Sequence, residues 1–140
     1  MNNIEKIQTN IINEFNMFND WKEKYEYLIE LGKELKKLPR EKKKEENLIE
    51  GCQSNVWLAA EYNNGVVNFF ADSDAIITKG LVSLLLRIFS GQRPLDILNA
   101  NYNFIDTIGF KKHLSINRAN GLESMLNEIK KYAVIFNKNI

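Results

Sequence analysis

Apolar residues recur at helical spacing in the first and last parts of this chain, and a stretch of strand-favouring residues separates the two. Ile4, Ile7, Ile11 and Phe15 follow at steps of three and four, which places them on one stripe of an amphipathic helix. Asp20 followed by Glu23 has the form of a capping box, and behind it Trp21, Tyr25, Leu28, Gly32 and Leu35 repeat the stripe. Leu38 and Pro39 are expected to end this second helix. Residues 40–46, REKKKEE, are charged at every position and predict a solvated, mobile linker.

Strand-favouring residues take over beyond the linker. Residues 54–61 (SNVWLAAE) and 66–72 (VVNFFAD) carry the Val, Trp and Phe that favour strands, and between them Asn63, Asn64 and Gly65 suit a tight hairpin turn. Residues 47–50 offer a third short strand, which the pattern leaves open. Helical spacing then returns in Ile77, Leu81, Leu84, Leu85 and Ile88, with Asp72, Ser73 and Asp74 as N-cap candidates and Ser90 and Gly91 as the end. Pro94 opens a short helix through Leu98, residues 102–108 give another closed by Gly109, and Ser115 caps a last helix striped by Leu122, Leu126, Ile129 and Ala133. Two helices, a small antiparallel sheet and several further helices make an α+β fold, read as one domain over residues 1–140.

Composition narrows the function. Nineteen Lys plus Arg against eighteen Asp plus Glu leave a formal charge of +1, too close to balance for the broad positive footprint of a nucleic-acid binder. The C-terminal part is nonetheless basic, through Lys111, Lys112, Arg118, Lys130, Lys131 and Lys138. A single cysteine excludes an intramolecular disulfide and points to a reducing compartment. The N-terminal segment lacks the pattern of a signal peptide, and no run reaches the ~18 apolar residues of a membrane span, so the expectation is a cytoplasmic protein without membrane contact.

That cysteine, Cys52, lies in LIEGCQSNVWL, at the entry to the first strand. Gly51 allows unusual backbone angles beside it, and Gln53 and Ser54 complete a loop able to present a side chain. A thiol of ordinary pKa is only a few per cent ionised at neutral pH, so attack by its sulfur benefits from nearby positive charge or backbone donors. Glu50 would oppose that. Arg118, His113 and the amides near Asp72 and Asp74 are the candidates to supply it, while Asp72 and Asp74 themselves suit capping better than metal binding. Gly80 and Gly121 interrupt helical patterns at a cost of ~1 kcal/mol each relative to Ala, which close packing or a partner's approach would justify.

GCQSNVWL, the following ADSDAIITKGL and the later HLSINRANGL resemble the SufE family of sulfur-acceptor proteins, and WKEKYEYLIELG resembles its opening helix. The resemblance runs over about residues 21–133. It implies that Cys52 takes persulfide sulfur from a cysteine desulfurase of the SufS type, that the chain stimulates that enzyme, and that sulfur passes to an iron–sulfur scaffold of the SufB type. It further implies a sulfur carrier rather than a stand-alone enzyme, with no cofactor of its own, since pyridoxal phosphate belongs to the desulfurase. Asp74, His113, Arg118 and Gly121 are the candidate docking or activating residues, and of these the resemblance puts Gly121 near the partner-facing surface with Arg118. The sequence departs from the family where a proline often follows the HLS block and a serine precedes the arginine; here Ile116 and Asn117 stand in those places.

Three rivals are separable. A Cys52–His113 hydrolytic dyad lacks the accompanying nucleophile motif. A metal or cluster scaffold would need three or four soft ligands, against one Cys and one His. A non-catalytic regulator of a desulfurase or assembly complex would keep Cys52 inert, behaving as a small hydrophobe.

Overall fold

The computed structural model describes residues 3–138. Among these, the order is α1 (Asn3–Asn16), α2 (Trp21–Lys33), two 3-10 turns (Arg40–Lys42 and Glu45–Asn47), β1 (Val56–Asn63), β2 (Val66–Ser73), α3 (Ile76–Phe89), α4 (Pro94–Asn99), α5 (Asn103–Ile108), α6 (Phe110–His113) and α7 (Ile116–Asn137). This is the expected α+β arrangement. β1 and β2 pair antiparallel from Val56 opposite Ser73 to Asn63 opposite Val66. Asn64 and Gly65 close the hairpin with φ of 54° and 81°, the left-handed pair that a two-residue turn needs. The third strand reduces to one bridge between Leu48 and Trp57, supported by Ile49 N–H donating to the Val56 carbonyl at 2.9 Å.

One apolar cluster holds the elements together. The hairpin's inner face supplies Val56, Leu58, Val67, Phe69 and Ala71; α3 adds Leu81, Leu85 and Ile88, and α7 adds Leu122, Leu126, Ile129 and Ala133. Ile4, Ile11 and Phe15 of α1 are buried as their spacing predicts, with Ile7 only partly so. Glu14 at the end of α1 accepts from the Arg87 guanidinium of α3 and from the Tyr27 hydroxyl of α2, and the Arg87 bond holds its carboxyl below the ordinary carboxylate range.

α2 and α3 cross unusually closely. A Cβ at Gly80 would sit 2.2 Å from the Leu28 carbonyl oxygen, and one at Gly32 would sit 2.9 Å from the Gly80 nitrogen. The two glycines therefore exist to let backbones touch, which explains the helix-propensity penalty at Gly80. The crossing also bears on where α2 stops. It ends at Lys33, with the Glu34 amide closing back onto Leu31 and Gly32, rather than continuing to Leu38 as the periodicity suggested. Pro39 disfavours helical geometry at the residue before it, and the extended segment carries Leu38 into a buried position.

Residues 40–46 form a strap across the outer face of the hairpin instead of a free linker. Lys42 pairs with Glu61 at 2.7 Å and lies over the Phe70 ring at 4.7 Å; Lys43 lies over Trp57 at 4.6 Å and reaches Asp72 at 3.7 Å. Alternating charges keep such a run exposed, but the aromatic faces and carboxylates of the strands give its lysines somewhere to bind.

Candidate functional site

The strap and the Leu48–Trp57 bridge lead the chain into the loop that carries Cys52. Gly51 makes the turn with φ of +88°, and a Cβ there would meet the Ser124 Oγ of α7 at 2.8 Å, so both backbone angle and space call for glycine. The Cys52 sulfur consequently points at α7, where its thiol donates weakly to the Gly121 carbonyl oxygen at 3.8 Å. It is half-buried, and that burial pushes the thiol above its ordinary range.

Around it opens a cleft of about 440 Å³. Gln53 and Ser54 form one side, Ala75 and Thr78 of the α3 start another, and Ser115, Asn117, Arg118 and Gly121 of α7 the third. Two helix N-termini thus converge on one sulfur. Each carries unsatisfied amides and the positive end of the helix dipole, which favour an anion placed there. α7 is capped by Ser115, whose hydroxyl accepts from Arg118 N–H at 3.2 Å, so Ile116 and Asn117 do not disturb the helix start. α3 begins after Ala75, which gives its first-turn amides no side-chain cap.

Asp72, Ser73 and Asp74 are not the caps their spacing suggested. The Asp74 carboxylate accepts from Asn55 N–H at 3.1 Å, the Ser73 hydroxyl donates to the Asn55 carbonyl at 2.9 Å and accepts from Ala75 N–H, and Asp72 accepts from Ser73 N–H while facing Lys43 and Lys79. The side chains of Ser73 and Asp74 tie the start of β1 to the end of β2, while that of Asp72 is engaged by its neighbour's amide and the two lysines. Asp74 stays exposed beside the cleft without lining it.

Arg118 and Gly121 do reach the cleft; His113 does not. The His113 ring stacks on Trp21 at 4.2 Å between centroids, and its carbonyl accepts from the Tyr25 hydroxyl. The aromatic at the start of α2 captures the imidazole before it can approach the sulfur. Arg118 makes no ion pair with Asp74, Glu123 or any other acid among the described residues. Ala75, Thr78, Ser115 and Asn117 were not legible as site residues, because nothing local distinguishes a helix start beside a thiol from any other. Among the described residues no group of three His, Cys, Asp or Glu side chains could hold a metal, and no helix is long and apolar enough to cross a membrane.

A small α+β protein with one cysteine held between two helix starts is the class that fold and site define. The chain belongs to the SufE family: the model described as SufE, Fe-S metabolism associated domain, matches residues 9–133. Its role therefore lies in iron–sulfur metabolism. Among similar proteins, an uncharacterised SufE-like protein of Rhizobium meliloti is 40% identical over 128 residues, covering 88% of this chain and 91% of that one. A second, from Rhizobium etli, is 38% identical over 130 residues, covering 89% and 88%. The solution structure of a hypothetical protein from Thermus thermophilus superposes with a TM-score of 0.75 over 91% of this chain and 93% of the other, at 19% identity, and so shares the fold.

Proposed function

We propose that this protein accepts sulfane sulfur on Cys52 from a pyridoxal-phosphate-dependent cysteine desulfurase, stimulates that enzyme, and passes the sulfur to an iron–sulfur assembly scaffold. The observation that carries this reading is the convergence of the α3 and α7 N-termini, with Arg118, on the one thiol of the chain. Sulfur transfer proceeds as a thiol exchange. The Cys52 thiolate attacks the outer sulfur of the donor's persulfide, a bond forms between the Cys52 Sγ and that sulfur, and the bond to the donor's cysteine breaks. The donor thiolate leaves with the electron pair, the Cys52 proton passes to solvent or a base in the complex, and no net oxidation occurs.

Both the attacking thiolate and the persulfide product are anions, and both gain from helix-start amides and a guanidinium. Half-burial against Gly121 keeps the resting thiol protonated, which protects it from adventitious oxidation between encounters. The chain needs no cofactor for this step. The rival of an inert regulatory cysteine draws on the same burial, but it leaves the cleft and its positive lining without a purpose.

Mixing the protein with a cysteine desulfurase and cysteine should add ~32 Da to its intact mass, removable by reductant, and Cys52→Ser should abolish the gain. An unmodified wild-type mass in the presence of an active donor would overturn the reading.

A further inference from the structure

Five polar or charged side chains are buried among the described residues: Gln8, Asp72, Ser73, Thr78 and Gln92. Gln8 donates to the Asn101 carbonyl at 3.0 Å and Gln92 to the Ile88 carbonyl at 3.3 Å, while Asp72 and Ser73 are engaged at the hairpin end. Thr78 differs from these. It is 7% exposed, and its hydroxyl makes no hydrogen bond among the described residues. A buried polar group without a partner is rare enough to need a reason, and its place supplies one, because Thr78 lines the Cys52 cleft. Gln53, Ser115, Asn117 and Arg118 of the same lining are exposed, so Thr78 is the polar side chain of the cleft most withdrawn from water.

We propose that the Thr78 hydroxyl donates to the terminal sulfur of the Cys52 persulfide and so holds the transferred atom in the loaded protein. The inference rests on the sulfur-acceptor reading above and adds the residue that receives the cargo.

Loading changes what the cleft has to stabilise. The resting thiol turns its own proton toward the Gly121 carbonyl; once a second sulfur is attached, Sγ has no proton and the negative charge lies on the outer sulfur, which accepts hydrogen bonds. An exposed donor exchanges a bound water for that sulfur at little gain, whereas Thr78 has no protein partner to give up. Thr78 also lies in the first turn of α3, whose amides have no side-chain cap and favour an anion at the same place. That turn is held firmly. The Lys79 N–H donates to the Ala75 carbonyl at 2.8 Å, the Lys79 ammonium reaches Asp72 at 3.5 Å, and Gly80 abuts the Leu28 carbonyl, so the hydroxyl is offered from a fixed element.

The test compares wild type, Thr78→Val and Thr78→Ser, each loaded from a cysteine desulfurase with cysteine, or from inorganic polysulfide where a variant loads slowly. Reaction with iodoacetamide is followed against pH by intact mass, in which the alkylated persulfide carries both additions and loses them to reductant. Thr78→Val nearly keeps the buried shape and removes no hydrogen bond of the resting protein, so its thermal midpoint should not fall. Its persulfide should ionise about one pH unit above that of wild type, a tenfold loss of the anion below that midpoint, and Thr78→Ser should stay close to wild type. The unloaded thiol should shift less, since the atom Thr78 holds is not yet there; a merely structural role would move both forms alike. Cys52 and Arg118 are the titratable residues of the lining, Lys79 is paired with Asp72, and Glu50 and Asp74 stand outside, all unchanged between variants, so the difference belongs to the hydroxyl. Thr78→Ala repeats the test should Thr78→Val fail to fold by circular dichroism. Equal midpoints for loaded wild type and Thr78→Val, or equal shifts with and without the added sulfur, overturn the proposal and leave the sulfur-acceptor reading standing. If wild-type protein takes no sulfur from an active desulfurase, that reading fails and this proposal falls with it.

Discussion

Gly121 is the surface on which the Cys52 sulfur rests: a Cβ built there would lie 3.6 Å from Sγ and meet nothing else beyond its own helix within 4 Å. Gly121→Ala should therefore fold normally and gain about 0.5–1 kcal/mol from helix propensity, read by urea unfolding. Sulfur uptake should fall several-fold in the same variant, because the methyl group takes space beside the atom that acquires a second sulfur. Unchanged uptake would remove Gly121 from the sulfur's path.

Arg118 and His113, equivalent in sequence as sources of positive charge, should separate in experiment. Arg118→Ala should slow sulfur loading and raise the midpoint of the Cys52 alkylation profile, since Arg118 is the one basic residue lining the cleft. His113→Ala should leave both unchanged and instead alter Trp21 fluorescence, since its ring stacks on that indole. A pronounced loss of loading in His113→Ala would show that the imidazole moves to the thiol in the complex.

Alkaline pH should destabilise this protein through Cys52. Burial raises the folded-state pKa of the thiol above its unfolded value, so the contribution of the neutral thiol is fully present below the unfolded pKa and is lost as pH rises through the folded one. Tyr102 and Tyr132 are raised by the same cause and act in the same direction at higher pH. The difference between wild type and Cys52→Ser in unfolding midpoint, followed upward from pH 7, isolates the cysteine; a flat difference would mean that the thiol is as hydrated in the folded chain as in the unfolded one.

Gly80→Ala should be among the most damaging single-methyl changes available here. The added carbon would overlap the Leu28 carbonyl oxygen, a backbone atom that moves only if α2 and α3 separate. Overpacking of this kind costs about 1–3 kcal/mol and more where backbone must shift, which thermal unfolding would register as a lowered midpoint. Gly65→Ala at the hairpin is a useful contrast: it meets nothing within 4 Å but carries a φ of +81°, so its cost is conformational alone.

Much of this architecture is visible in the residue order because local signals agree with burial. The Ile4, Ile11, Phe15 stripe, the Asn64–Gly65 turn, Pro94 at a helix start, Gly109 at a helix end and the Ser115 cap each act within a few residues of themselves. What escaped were features decided across the chain. Asp72, Ser73 and Asp74 look like caps until Asn55, eighteen and nineteen positions away, claims the side chains of Ser73 and Asp74, and Lys43 faces that of Asp72. The charged run of residues 40–46 looks unattached until Trp57 and Phe70 appear beneath its lysines.

The site divides in the same way. Cys52 with Gly51 stands out in one dimension, because a lone thiol beside a glycine is chemically conspicuous wherever the fold puts it. His113 and Arg118 do not differ in one dimension: which of two basic residues faces the sulfur depends on Trp21, some ninety positions upstream, having already engaged the imidazole ring.

The hairpin's length has a practical corollary. Asn64 and Gly65 sit at the end of the ladder opposite to the Val56–Ser73 pair, and seven residue steps of extended chain carry them about 23 Å from that pair and the adjoining loop. An affinity handle or fluorophore spliced in at this tip would leave the sulfur end of the molecule unencumbered, so immobilised protein could still be approached by whatever enzyme loads it.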